Sequence, residues 1–201
     1  MRRTGTGGVL LVAMAVAALL GPARGEAQAP APEPLYRGRP LADWIRALRD
    51  GTPMVRERAV VILCEVEKPP VPLLVGAMAD QDFNVRTMAI FCLGRLGPQA
   101  RDAVPALVKA LEDPDWIVRR YAAGSLGFLE STAREAAAPL ARTAVQDPRD
   151  QVRVTAAFAM SRLGPEARET SRTVLTELST TAQDEAVRTR AAELLRDLER
   201  R

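Results

Sequence analysis

Five valines, Val55, Val85, Val118, Val152 and Val187, recur along the chain at intervals of 30, 33, 34 and 35 residues. Four of them sit in one frame: an Asp, four residues, Val-Arg, then small residues and a Leu or Met eight places after the Val. The frame reads Asp50–Leu63, Asp80–Leu93, Asp113–Leu126 and Asp147–Met160, and returns more loosely around Val187–Leu195. A period of this length is the signature of a stacked array, in which each unit covers the hydrophobic face of the next.

The units read as helix pairs. In the first helix of a pair the apolar residues are Leu73, Leu74 and Ala77, or Leu107, Val108 and Leu111. In the second, the positions 0, +4, +7, +8 and +11 from the anchor Val converge on one helical face, as in Val118, Ala122, Ser125, Leu126 and Leu129. Leu41, Trp44, Ile45 and Leu48 mark the first helix of the array in the same way. Pro72, Pro105 and Pro139 each stand thirteen residues before an anchor Val, and Pro98 and Pro165 thirteen after one. In Leu-Gly-Pro, Gly closes one helix and Pro opens the next. The third unit has both Pro98 and Pro105, and the spacing predicts a kink or break between them. The fold class predicted is all-α, an α-solenoid of about five antiparallel helix pairs, divided near residues 41–70, 71–103, 104–137, 138–171 and 172–201.

Residues 1–25 read as a secretory signal peptide. Arg2 and Arg3 precede an apolar run of twelve over residues 9–20, too short to span a bilayer comfortably. Cleavage fits after Gly25 or after Ala27, and the export route, general or twin-arginine, stays open. Residues 26–35, rich in Ala and Pro, read as an extended tether, with the repeat domain over 36–201. The expectation is an exported protein, periplasmic or secreted, with no stable membrane insertion once the signal is removed. Without Arg2, Arg3 and Arg24 the chain carries 25 basic and 25 acidic residues. Such a balance speaks against nucleic acid as a partner.

The chain has no histidine. No Ser-His-Asp or Cys-His set is therefore possible, and neither a phosphate-binding Gly-rich loop nor a metal-ligand spacing appears. No catalytic residue, cofactor or metal is expected. Cys64 (+9) and Cys92 (+7) fall on adjacent second helices, either as small buried thiols or as a disulfide.

The segments Leu111-Glu112-Asp113-Pro114-Asp115, Val118-Arg119, Ala122-Ala123 and Leu126-Gly127 resemble HEAT repeats, of the short bacterial type. So do Leu93-Gly94-Arg95-Leu96-Gly97-Pro98 and Val104-Pro105-Ala106-Leu107, and the likeness runs from about Leu41 to Leu198. Residues 36–44 resemble the opening of exported bacterial members. The resemblance implies a right-handed superhelix with second helices lining the concave side, and protein–protein binding more often than chemistry. It also implies a ladder of Asp50/Arg56, Asp80/Arg86, Asp113/Arg119 and Asp147/Arg153, each Arg meeting carboxylates of its own and the adjacent unit. The bilin-attaching lyases of this family are a remote alternative.

The aromatic residues share register positions. Phe91 and Phe158 are at +6, Tyr121 at +3 and Phe128 at +10, on the side of the second helix away from the core stripe, with Met88 and Val61 beside them. Arg95, Arg120, Arg162 and Glu57 edge this strip. An apolar strip on the open face of a scaffold is how a groove for a protein or extended peptide is written. The candidate contact residues are Met88, Phe91, Arg95, Tyr121, Phe128, Phe158 and Arg162, with Phe91 and Phe158 expected to be the most exposed. A structural part in a larger envelope assembly is the alternative role.

Overall fold

The computed structural model describes residues 35–66 and 69–200. The signal peptide read over residues 1–25 and nearly all of the tether lie outside the described residues. The repeat region is a unit of its own that begins at Leu35.

It opens with a two-stranded hairpin, β1 (Leu35–Tyr36) against β2 (Arg39–Pro40), with Tyr36 opposite Arg39. Arg37 (φ 52) and Gly38 (φ 80) are both left-handed, as a two-residue turn that follows the strand twist requires. The hairpin holds the end of the array. The buried Trp44 donates its indole N–H to the Tyr36 carbonyl at 2.8 Å and packs on Ala59 and Ile62.

Five helix pairs follow: α1 (Leu41–Asp50) with α2 (Pro53–Glu65), α3 (Val71–Ala77) with α4 (Phe83–Leu96), α5 (Val104–Ala110) with α6 (Trp116–Phe128), α7 (Ala137–Gln146) with α8 (Asp150–Met160), and α9 (Pro165–Thr181) with α10 (Glu185–Glu199). Local chemistry sets their limits. Asp82, Asp115 and Asp184 cap α4, α6 and α10, accepting backbone N–H bonds from Asn84 (2.8 Å), Ile117 (2.7 Å) and Ala186 (2.9 Å). Gly97 follows α4 with φ +54. After α6 the same turn falls to Glu130 (φ 52), a strained place for a side chain. The break predicted between Pro98 and Pro105 is present: Gly97–Ala103 winds as a 3-10 segment and leaves helical geometry at Ala100. Glu130–Ala136 repeats it, breaking at Ala133 with no proline inside the segment, so Pro98 is not required for the break, and the Gly164-Pro165 junction runs into α9 without one.

Val85, Val118, Val152 and Val187 are all buried, as the frame predicted. Val55 is 37% exposed, because no preceding pair covers the first unit. A second buried stripe accompanies the first, at +5 (Val60, Ile90, Ala123, Ala157) and +9 (Gly94, Gly127, Ser161). It faces the next second helix. A Cβ on Gly94 would lie 2.5 Å from Ser125 Oγ, and one on Gly127 would lie 3.0 Å from the Cα of Ala159. Each contact joins +9 of one helix to +7 of the next. Ser125 Oγ donates to the Ile90 carbonyl at 2.9 Å across the same crossing. Successive second helices from α2 to α8 consequently lie against one another along their length, whereas the first helices beside them scarcely meet, and α10 packs mainly on its own partner α9. The closer-spaced layer forms the inner side of the stack.

Arginines tie the turns together. Arg56, Arg86 and Arg119 each grip the Asp of the next unit with two bonds: Asp80 (2.7 and 2.9 Å), Asp113 (2.9 and 3.1 Å) and Asp147 (2.7 and 3.1 Å). The ladder expected from the family resemblance needs correction at three points. Each Arg reaches its own unit through a backbone carbonyl, Gly51, Asp80 or Asp113, and not through its own carboxylate. Asp50 is exposed and outside the ladder, since no earlier repeat supplies an Arg. Arg153 finds Ala182 where the next Asp would stand, and meets Glu177 of the adjacent unit (3.1 Å), Asp150 of its own unit (3.4 Å) and the Ala144 carbonyl (3.0 Å).

Burial opposes ionisation of Asp80, but the Arg56 fork, the Asp82 N–H and the charges of Arg56 and Arg86 outweigh it and hold the carboxyl below its usual range. A depressed folded value means that the unfolded chain binds this proton more readily. The stabilisation is then full above about pH 4, the unfolded value, and is lost as pH falls through the folded one. Asp80→Asn is expected to lower stability at pH 7 by about 1–3 kcal/mol and to flatten the acid limb of the urea-unfolding profile. An unchanged acid limb would show that this pair does not set it.

Candidate functional site

The outward stripe of the inner layer is built by α4, α6, α8 and α10. On α4, Phe91 is 40% exposed, and on α6, Phe128 is 58% exposed. Phe91 meets Tyr121 edge to face at 6.4 Å, bridging the two helices. Guanidinium groups lie over the rings: Arg95 on Phe91 (6.0 Å), Arg120 on Tyr121 (5.6 Å) and Arg162 on Phe128 (5.8 Å). Nearer the turns, Trp116 lies between Arg120 and Arg149, at 5.6 and 5.9 Å. The candidate residues are thus brought to one face, with one reordering. Phe158 is half-buried and packs on the core with Met88 and Tyr121, so Phe128 replaces it as the most exposed ring. Between Phe158 and Gly124, which stands on α6 where the neighbouring repeats carry Phe, the face leaves an open space.

That space is a pocket of about 260 Å³ lined by α6, α8 and α10. Phe128, Val154, Phe158 and Leu194 form its apolar wall, Gly124 and Thr155 its floor, and Arg162 and Arg190 its edge. Arg162 is held in place, donating to the Gly127 carbonyl (2.9 Å) and to Glu130 (2.6 Å). The strained Glu130 turn therefore supplies the carboxylate that orients Arg162. Sequence reading missed Gly124, Thr155, Arg190 and Leu194. The available signal was register, since Gly124 stands at the +6 position that is Phe in the repeats on either side.

The family model described as HEAT repeats matches residues 41–113 and 104–196. The chain belongs to the HEAT-repeat family. No curated protein matches it in sequence. Among solved structures, this HEAT-repeat chain is similar to the complex of CpcE and CpcF of phycocyanin lyase from Nostoc sp. PCC7120, at 23% identity and a TM-score of 0.62, over 77% of this chain and 96% of that one. It is also similar to an engineered protein, at 21% identity and a TM-score of 0.57, over 82% and 80% of the two chains. A designed armadillo repeat protein in complex with the peptide (KR)4 gives 18% identity and a TM-score of 0.56, over 79% and 81%. At these identities the likeness is one of fold.

In the HEAT array the two cysteines occupy the +9/+7 crossing, Cys64 on α2 and Cys92 on α4, where the next repeats place Gly94 with Ser125 and Gly127 with Ala159. Both are free thiols. The Cys92 thiol supports a negative charge on its neighbour, which outweighs the effect of burial and, with Arg95 nearby, brings Cys64 down to about 7. The same contact, with burial, pushes Cys92 up. Iodoacetamide is expected to label Cys64 with a pH midpoint near 7, leaving Cys92 largely unlabelled in the folded protein. Cys92→Ala should move that midpoint up toward about 8.5. Equal labelling of both thiols would contradict this arrangement.

Proposed function

We propose that this HEAT-repeat chain is a non-catalytic scaffold, exported from the cytoplasm, that holds another protein or an extended peptide on the inner face of its second helices. The observation that carries the reading is the pair of exposed rings Phe91 and Phe128, with the half-buried Tyr121 between them, edged by arginines on the layer of closely crossing second helices. Exposed rings on one face cost solubility, and the stack already buries its own stripe without them. The designed armadillo repeat protein in complex with a peptide supports the idea that a fold of this kind accommodates an extended chain. The full absence of histidine supports a role without acid–base catalysis. Export rests on the basic start and short apolar run of residues 1–25.

Phe91→Ser and Phe128→Ser test the reading. Each is expected to change stability by no more than about 1 kcal/mol, as a surface substitution does, and to weaken retention of partners from an envelope extract by about tenfold or more. Retention unchanged in both folded variants would place the contacts elsewhere and favour a structural part engaged through the ends or the first-helix side.

A further inference from the structure

Resting on the inner-face reading, we infer that the pocket at Gly124 receives one large apolar side chain from an acidic segment of the partner protein. Gly inside a helix lowers stability relative to Ala, so an interior Gly asks for a reason. Gly94 and Gly127 have one, because a Cβ at either would collide with the next second helix. Gly124 has none: a Cβ there would meet only Thr155 Cγ2, at an ordinary 3.7 Å. The flanking repeats carry Phe91 and Phe158 at the same position. What Gly124 does is leave out a ring and open the pocket. About 260 Å³ is small for a cofactor or drug-sized ligand, which takes roughly 300–1,000 Å³, and suits a single side chain.

The unpaired charge on its α4 and α6 side is basic. At the outward positions +2, +3, +6 and +10 of the three central repeats stand Arg95, Arg120 and Arg162 and no carboxylate, whereas α10 carries Arg190, Glu193 and Asp197 at these positions, and Arg162 and Arg190 are already paired, with Glu130 (2.6 Å) and Glu193 (3.1 Å). Among the described residues Arg95 and Arg120 form no ion pair, although the exported chain as a whole is balanced. Arg120 lies one turn before Gly124 on the same stripe. A segment with carboxylates flanking an apolar residue meets these guanidiniums while the side chain enters the pocket.

The test uses the full chain and fluorescein-labelled nine-residue peptides, followed by anisotropy. One peptide has a central Phe with Glu and Asp on both sides. The others replace the Phe by Ala, or the acidic residues by Lys. A nine-nucleotide oligothymidylate is the phosphate control. The acidic Phe peptide should bind about tenfold or more tightly than either variant peptide, the worth of one buried ring. Gly124→Phe should abolish that advantage without lowering Tm, and Gly124→Leu should do the same. Gly124→Ala should raise Tm, while Gly94→Ala lowers it. Methyl signals of Thr155 and Leu194 should shift on titration. The proposal is overturned if charge or the central Phe makes no difference, if the oligonucleotide binds better, or if Gly124 variants abolish only self-association of the chain. Binding that survives Gly124→Phe but weakens in Phe91→Ser and Phe128→Ser removes the pocket and leaves the inner-face reading standing. Peptide shifts confined to the first helices remove both.

Discussion

Successive second helices approach one another closely at a single recurring crossing, where the +9 residue of one meets the +7 residue of the next. Gly94 against Ser125 and Gly127 against Ala159 leave no room for even a methyl group, and Cys64 against Cys92 fills the first crossing with two small thiols. Close packing here is a matter of dispersion between many atoms at optimal distance, lost quickly when the gap widens. The first helices have no such seam, and the difference in spacing between the two layers makes one of them the inner face. The position of the aromatic strip, and of the pocket between α6, α8 and α10, follows from that geometry.

The arginine ladder does a different job. Each fork joins consecutive turns, so it fixes the rotation of one repeat against the next without adding apolar area. Partly buried pairs of this kind are costly to break and give modest net stability when intact, so orientation is their main contribution. The ladder stops where its chemistry stops: among the described residues no helix pair ahead of α1 offers an Arg to Asp50, and Ala182 offers no carboxylate to Arg153. A hairpin lies over Trp44 beside the first pair, and α10 carries a polar outer side.

Much of this was legible in the sequence, because periodicity reports burial directly. The anchor valines, the helix pairs, the proline-marked break and the placing of Phe91, Tyr121 and Phe128 on one side of the second helices all follow from spacing. The misses have physical causes. Reading a single apolar stripe hid the second one, since Gly94 and Gly127 at +9 look neutral on a helical wheel although they make the tightest contacts. The pairing partner of each Arg depends on the rise between repeats, which spacing alone does not give. Phe158 illustrates the same limit: it is half-buried while Phe91 at the same position is exposed, a difference set by the neighbouring repeats and not by spacing within one helix.

The account stands or falls on the crossing itself, and exchanging its two residues tests it most directly. Gly94→Ser alone is expected to destabilise the protein by about 1–3 kcal/mol through overpacking. Adding Ser125→Gly should restore more than half of that loss, even though the bond from Ser125 to the Ile90 carbonyl is given up. If urea unfolding instead shows the two substitutions to be additive, with the double variant less stable than either single one, the helices do not meet there as described.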